Sequence, residues 1–270
     1  MNLVLFDMDG TLTEPRKKIK FSMISAIKEL SKHTKVGIVT GSGYDYLIHQ
    51  CSDMWSSIGG VNPENLYLMP CNGTQLYKWR YTKWTKEFSK NIRDEIGSKN
   101  VDNIISELIR LQSDYMVQNP PHSFTGHFVS YRDSLINWSP VGRNANSDQR
   151  NDFIIYDLNG MIRANLNSKL QKAIESLSIK SNISSALGGS TSIDIYPKGW
   201  DKTFCLGHFK DTEFWFVGDK CWGDGNDRLI YEEILKTGKA YETTSPEETI
   251  KIIKAITKRI KESNNEIRKT

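Results

Sequence analysis

Near the start of the chain, LVLFDMDGTLT (residues 3–13) sets two aspartates, Asp7 and Asp9, two positions apart behind four apolar residues. A short apolar run of this kind reads as a strand buried on both faces, here over residues 2–7. Like charges so close repel and cost stability. Such a pair is worth keeping only where something positive shares the site. A lone aspartate after a strand is usually a turn or cap residue. D-x-D-G-T closing an N-terminal strand is harder to explain that way and points to chemistry.

The pattern then repeats. Residues 22–32 carry Met23, Ile27 and Leu30 on one stripe and read as an amphipathic helix. KVGIVTGSG (35–43) reads as a second buried strand ending in a glycine-rich turn. LYLMPCNGTQLY (66–77) supplies a third strand and a hairpin-like turn at Asn72-Gly73. TEFWFVGD (212–219) is another buried strand ending in an aspartate. Alternation of buried strands and helices predicts an α/β fold with a parallel, Rossmann-like sheet. In such a sheet ligands bind beyond the carboxyl ends of the strands. Asp7 and Asp9, Thr40 with Ser42, and Asp219 all fall at such ends.

Between these stretches the texture changes. RYTKWTKEFSKNIRDEIGSKNVDNIISELIRLQ is polar and reads as helical from about residue 80. HFVSYRDSLINWS predicts two antiparallel strands around a turn near Asp133-Ser134. A helix is expected near 166–178, with Leu170, Ala173, Ile174 and Leu177 on one side, and residues 191–196 alternate. The chain is therefore read as a core of residues 1–79 and 188–270 with an inserted α+β domain at 80–187. Ser245, Pro246 and Glu248 mark the start of a last helix as cap, first residue and capping-box partner. The final eight residues are polar and read as a frayed end.

Composition bounds the function. The 270 residues carry 36 basic and 32 acidic side chains, a net charge of +4 that does not by itself imply nucleic acid. An anionic small substrate is compatible with it. No apolar run approaches the length of a membrane span, and LVLF is too short for a signal peptide. Cys51, Cys71, Cys205 and Cys221 lack the close spacing of zinc or redox motifs, so a reduced, cytoplasmic protein is expected. Asp7 and Asp219, if they meet, suit a hard divalent cation such as Mg²⁺.

FDMDGTLT resembles the first motif of the haloacid dehalogenase-like phosphotransferases. The resemblance implies that Asp7 is a nucleophile forming an aspartyl-phosphate and that Asp9 shuttles a proton. Thr40 matches the second motif, with Ser42 as an alternative contact to the phosphoryl group, and Lys202 in GWDK matches the third. VGDKCWGDGND matches the fourth, with Asp219, Asn226 and Asp227. Asp7, the Asp9 backbone carbonyl and Asp219 would hold Mg²⁺, with Asn226 and Asp227 in the same motif.

DGTLTEPRKKI, PCNGTQLY, YRDSLINWSPVGR, GGSTSIDIYPKGWDKTFCL and GDKCWGDGND, in that order, are similar to the eukaryotic-type phosphomannomutases over nearly the whole chain. The resemblance implies a sugar phosphate bound by Arg16, Arg132, Arg143, Arg150, Ser192 and Asp194. It also implies a hexose bisphosphate activator, a role in GDP-mannose synthesis, and a hexose phosphate as the small-molecule partner, without nucleic acid or membrane. It leaves open a homodimer through the cap, to which Trp79, Tyr81 and Trp84 would contribute if they are not hinge packing. The alternating pattern agrees with part of this: Ser192 and Asp194 point to one face of their strand, Ile193 and Ile195 to the other. Residues 40–43 read TGSG where the family usually has GGSD, and Cys221, Trp222 and Asp224 are also departures. These keep a sugar-phosphate phosphatase of the same superfamily, and a catalytically silent binding protein, as alternatives.

Overall fold

A computed structural model of the protein describes residues 2–176 and 183–267. In chain order its elements are β1 (Asn2–Phe6), α1 (Phe21–Leu30), β2 (Lys35–Val39), α2 (Tyr44–Cys51), α3 (Asp53–Ser56), β3 (Leu66–Met69), β4 (Gln75–Arg80), β5 (Lys83–Ser89), α4 (Ile92–Ile96), α5 (Ser98–Val117), β6 (Val129–Tyr131), β7 (Ile136–Trp138), α6 (Ser147–Gly160), α7 (Ile162–Ser176), β8 (Ile183–Gly188), β9 (Ser192–Pro197), β10 (Glu213–Gly218), α8 (Arg228–Leu235), β11 (Ala240–Glu242) and α9 (Pro246–Ile267). They divide into two units. The first comprises residues 1–89, 201–223 and 227–270, the second residues 90–200 and 224–226.

The first unit is built on a seven-stranded sheet of order β11-β10-β1-β2-β3-β4-β5. The five strands from β11 to β3 are parallel; β4 and β5 run antiparallel as a hairpin. Successive residues of β1 go to opposite faces, as the pleat requires. Val4 and Phe6 pack with Met23, Ile27 and Leu30 of α1 and with Ile253, Ile256 and Ile260 of α9. Leu3 and Leu5 pack with Phe216, Ile230 and Ile234 on the other face. Both faces are dry, so the strands read as continuous apolar runs.

The second unit has a four-stranded antiparallel sheet of order β6-β7-β9-β8. One face, with Ile136, Trp138, Ile193 and Ile195, packs on Ile104 and Leu108 of α5 and Leu166 and Leu170 of α7. The other bears Asn137 opposite Asp194, and Ser192 two residues before it.

Three expectations change. The boundaries at 79/80 and 187/188 move to 89/90 and 200/201. Residues 83–89, expected to be helical, form β5, because KWTKEFS pairs with Gln75–Arg80 and closes the edge of the core sheet. Residues 192–197, expected in the core, pair with β7 and β8 and so belong to the inserted unit. The turn near Asp133 is present, with that residue left-handed at φ 59°. Ala173 and Ile174 lie on α7, Ile174 buried, while Leu177 falls outside the described residues. At the start of α9 the Ser245 hydroxyl accepts from the Glu248 amide at 3.2 Å, but the Glu248 carboxylate takes the Thr244 amide instead of that of Ser245. That helix runs on to Ile267, through most of the stretch expected to fray.

Candidate active site

The site lies at the carboxyl ends of three neighbouring parallel strands, in register with Phe6 opposite Ile38 of β2 and Val217 of β10. Asp7 follows β1 and still donates its amide to the Val217 carbonyl at 3.0 Å. The next residues form a tight loop, in which the Met8 carbonyl accepts from the Leu12 and Thr13 amides. Gly10 sits in this loop at φ 90°, and a Cβ there would lie 2.4 Å from an Asp219 carboxylate oxygen. Only glycine meets both demands. Thr40 follows β2; its hydroxyl accepts from the Ser42 amide at 3.1 Å and its carbonyl from the Asn72 amide at 2.8 Å. Ser42 is tied in turn to the neighbouring turn, its carbonyl accepting from the Cys71 amide.

Lys202 arrives from a distant segment. It begins a 3-10 turn whose N-cap is Asp201, the Asp201 carboxylate accepting from the Thr203 amide at 2.9 Å. Its side chain is 1% exposed. The ammonium donates to Asp7 and, at 2.5 Å, to Asp227. The second oxygen of Asp227 accepts from the Lys220 amide at 3.1 Å. Oxygens of Asp7, Asp219 and Asp227 all come within 4.8 Å of one another. Asp219 Oδ1 is buried and has no hydrogen-bond partner among the described residues.

Three carboxylates and one ammonium leave the cluster with an excess of negative charge. Burial pushes the Asp7 carboxyl well above the ordinary carboxylate range; Lys202 opposes this, and Asp227 and Asp219 add to it. Burial likewise raises Asp219, to about 6, against the pull of Lys220 and with the push of Asp227. For Lys202 burial disfavours the charged form, but Asp227 and Asp7 outweigh it and its pKa is raised. The orphaned Asp219 oxygen and an all-oxygen donor set fit a hard divalent cation. Asp7, Asp219 and Asp227 are the residues that would hold it.

Asp9 is placed differently. Its carboxylate is not part of this cluster: Oδ1 accepts from Gln50 Nε2 at 3.0 Å and makes longer contacts, at 3.4 Å, with Tyr46 Oη and the Arg16 amide. Asn226 lies in the short segment that groups with the second unit. Arg16 is exposed, in a left-handed turn at φ 65°.

The other arginines belong to the second unit. Arg143 Nη1 donates to Asn137 Oδ1 at 2.7 Å, and Asn137 Nδ2 donates to Asp194 Oδ1 at 2.6 Å. Arg150 donates to Thr191 Oγ1 at 2.9 Å and Ser190 Oγ at 3.3 Å. Ser192 Oγ donates to the Gly188 carbonyl at 2.7 Å. Arg132 sits in the turn between β6 and β7, its amide bonded to the Leu135 carbonyl. Counting along the pleat puts Arg132 on the same sheet face as Asn137 and Asp194. Arg143, Arg150, Ser192 and Asp194 are thus drawn to β9 and the turn before it.

A family model described as eukaryotic phosphomannomutase matches residues 23–259. The chain belongs to this family. A phosphomannomutase of Arabidopsis thaliana is 31% identical over 255 residues, which cover 94% of this chain and 96% of the relative. One of Dendrobium officinale is 33% identical over 249 residues, covering 92% and 90%. Among solved structures, an IMP-nucleotidase of Plasmodium falciparum superposes with a TM-score of 0.62 at 15% identity, over 95% of this chain and 66% of that one. A trehalose-6-phosphate phosphatase of Aspergillus fumigatus does so with a TM-score of 0.50 at 16% identity, over 96% and 93%. At such identities the likeness is one of fold, the haloacid dehalogenase-like fold.

Gln50 is a residue beside the site that motif reading missed. It lies on α2, fully buried, and besides holding Asp9 it accepts from the Thr13 hydroxyl at 2.8 Å. Its one sequence signal is a polar residue in a helix position that turns inward beside Leu47 and Cys51. Replacing Gln50 by leucine keeps the volume and removes both bonds. With Asp9 in the acid–base role that the family resemblance implies, turnover is expected to fall roughly 10- to 100-fold, a share of what such a placed group supplies. Steady-state turnover of the variant checks it, and turnover equal to that of the unsubstituted protein would overturn the expectation.

Proposed function

We propose that the chain is a Mg²⁺-dependent phosphomannomutase that interconverts mannose 6-phosphate and mannose 1-phosphate through an aspartyl-phosphate on Asp7, feeding GDP-mannose synthesis. The observation that carries this reading is the buried Asp7–Lys202–Asp227 ion pair beside Asp219, in a chain of the phosphomannomutase family. The four free cysteines, all buried, suit a reducing cytoplasm. No described helix is long and apolar enough to cross a membrane.

Asp7 attacks the phosphorus of a bisphosphorylated hexose. A bond forms from its carboxylate oxygen to phosphorus while the bond from phosphorus to the sugar oxygen breaks. Asp9 gives its proton to that departing oxygen. A hexose monophosphate then presents its free hydroxyl; Asp9 takes the proton, the sugar oxygen attacks phosphorus, and the bond from phosphorus to the Asp7 oxygen breaks. The bisphosphate so formed turns end for end, gives its other phosphate to Asp7 and leaves as the isomeric monophosphate. Lys202 holds Asp7 in place and balances charge during transfer. Bound Mg²⁺ would neutralise charge on the carboxylates and the phosphoryl oxygens. Thr40 and Ser42 are assigned to the phosphoryl group. Arg132, Arg143, Arg150, Ser192, Asp194 and Arg16 are assigned to the sugar and the non-reacting phosphate, for which a guanidinium offers a planar fork.

The test is a coupled assay with mannose 1-phosphate and a hexose bisphosphate activator. Formation of mannose 6-phosphate supports the reading. Release of free phosphate with no isomerised sugar phosphate overturns it in favour of a phosphatase.

The metal has its own signature. Asp219 titrates at about 6, above its ordinary 3.8, so the metal-free fold binds this proton more tightly than the unfolded chain does. Its contribution to stability is present at low pH and is lost as pH rises from about 4 to about 6. A cation needs the ionised carboxylate, so its stabilisation grows over the same window. A saturating cation adds about 2–3 kcal/mol. The melting temperature gained from Mg²⁺ over EDTA is expected to be about 3 °C greater at pH 7.5 than at pH 5. An equal gain at both pH values would argue against Asp219 as a ligand.

A further inference from the structure

The turn between β8 and β9 is held by two arginines, and only one of them lies in a recognition motif. Arg150 grips its middle, at the Ser190 and Thr191 hydroxyls. Arg163 grips its ends: Nη1 donates to the Gly189 carbonyl at 3.3 Å and the Ser192 carbonyl at 3.4 Å. Arg163 is itself fixed. Its Nε donates to Asp157 Oδ2 at 2.7 Å and its amide to Asp157 Oδ1 at 2.6 Å. The two side chains are 13% and 8% exposed.

The local chain explains why they meet. Met161 takes a left-handed conformation at φ 49° and ends α6, so that α7 restarts at Ile162. Asp157, from the last part of α6, then caps the start of α7 and offers its second oxygen to the guanidinium. A hairpin turn that only joins two strands needs no such strut. This turn leads directly into Ser192 and Asp194. Its fit there is close: a Cβ on Gly188 would lie 2.5 Å from the Asp194 carboxylate.

We propose that Arg163, anchored by Asp157, is a positioning residue for hexose-phosphate recognition. It acts through the 189–192 turn on Arg150, Ser192 and Asp194. It rests on the assignment of those three residues to the substrate in the proposed function. A guanidinium spans Asp157 and both carbonyls at once because its donors form a rigid fork; an ammonium has no such plane. Lysine at this position keeps the ion pair but releases the turn.

The experiment compares Arg163→Lys with the unsubstituted protein by mutase kinetics, calorimetric binding of mannose 1-phosphate, and thermal melting. The expected result is a KM and a dissociation constant raised about tenfold, with kcat within about twofold and melting little changed. Unchanged KM and binding, with or without a lower melting temperature, would leave the pair as mere internal support and overturn the inference. Should the lysine variant fail to fold, Asp157→Asn is measured in the same way. It keeps the shape and weakens the anchor, so a smaller rise in KM is expected, and none overturns the inference. If the unsubstituted protein itself binds no hexose phosphate, the proposed function falls together with this inference; a defect or its absence in the variants alone bears only on Arg163.

Discussion

Asp7→Asn is expected to reduce turnover by at least about 10⁴-fold while the protein melts at the same temperature or higher. The two halves of this result have one cause. The carboxylate oxygen of Asp7 is the proposed nucleophile, and an amide oxygen is far weaker; loss of a group that forms the covalent intermediate removes the route itself. The same carboxylate is costly to keep. It is buried, and Asp227 and Asp219 repel it, so that its pKa is raised despite Lys202. Asparagine removes that repulsion, and Lys202 retains Asp227 as its partner at 2.5 Å. Activity in the coupled assay and melting in EDTA are the two measurements. Turnover within tenfold of the unsubstituted protein would rule out a covalent mechanism on Asp7, for mutase and phosphatase alike.

Lys202→Met is expected to act in the opposite direction on stability. Methionine fills much of the space but leaves Asp7 and Asp227 without their shared cation, at sites 4% and 0% exposed. Breaking a buried pair by removing one partner costs about 3–5 kcal/mol. For a chain of this size that is a fall in melting temperature of about 6–20 °C. Turnover should fall as well under the proposed mechanism, in which Lys202 balances charge during transfer. Mg²⁺ should recover part of the stability, because a divalent cation answers the same carboxylates, but should not recover the activity. Equal melting of variant and parent in EDTA would show that the pair contributes nothing to the fold.

Most of the site was legible before the structure. Asp7, Thr40 and Asp219 stand at strand ends marked by short apolar runs and glycine, whereas Lys202 and Asp227 were singled out only by their resemblance to the family's motifs. Such marks are local in the chain. Gln50 and Arg163 carry no mark of that kind. Each is one polar residue among many on a helix, and each matters only for what it meets: Asp9 in one case, the carbonyls of Gly189 and Ser192 in the other. The same contrast separates the strands. β1 and β2 are apolar on both faces and were read directly. β5 is an edge strand, mostly exposed and rich in lysine, so its composition resembles that of a solvated helix.

By itself the sequence determined the parallel core and its interruption by a stretch of different texture, because strand burial and turn chemistry act over a few neighbouring positions. The tertiary structure decided three further things. It assigned β9 to the inserted unit by pairing it with β7 and β8. It turned the Asp9 carboxylate towards Gln50 and away from the other acids. And it brought Lys202 across 195 residues of chain to Asp7. These depend on which distant segments come together, and that is set by the shared packing of the whole sheet.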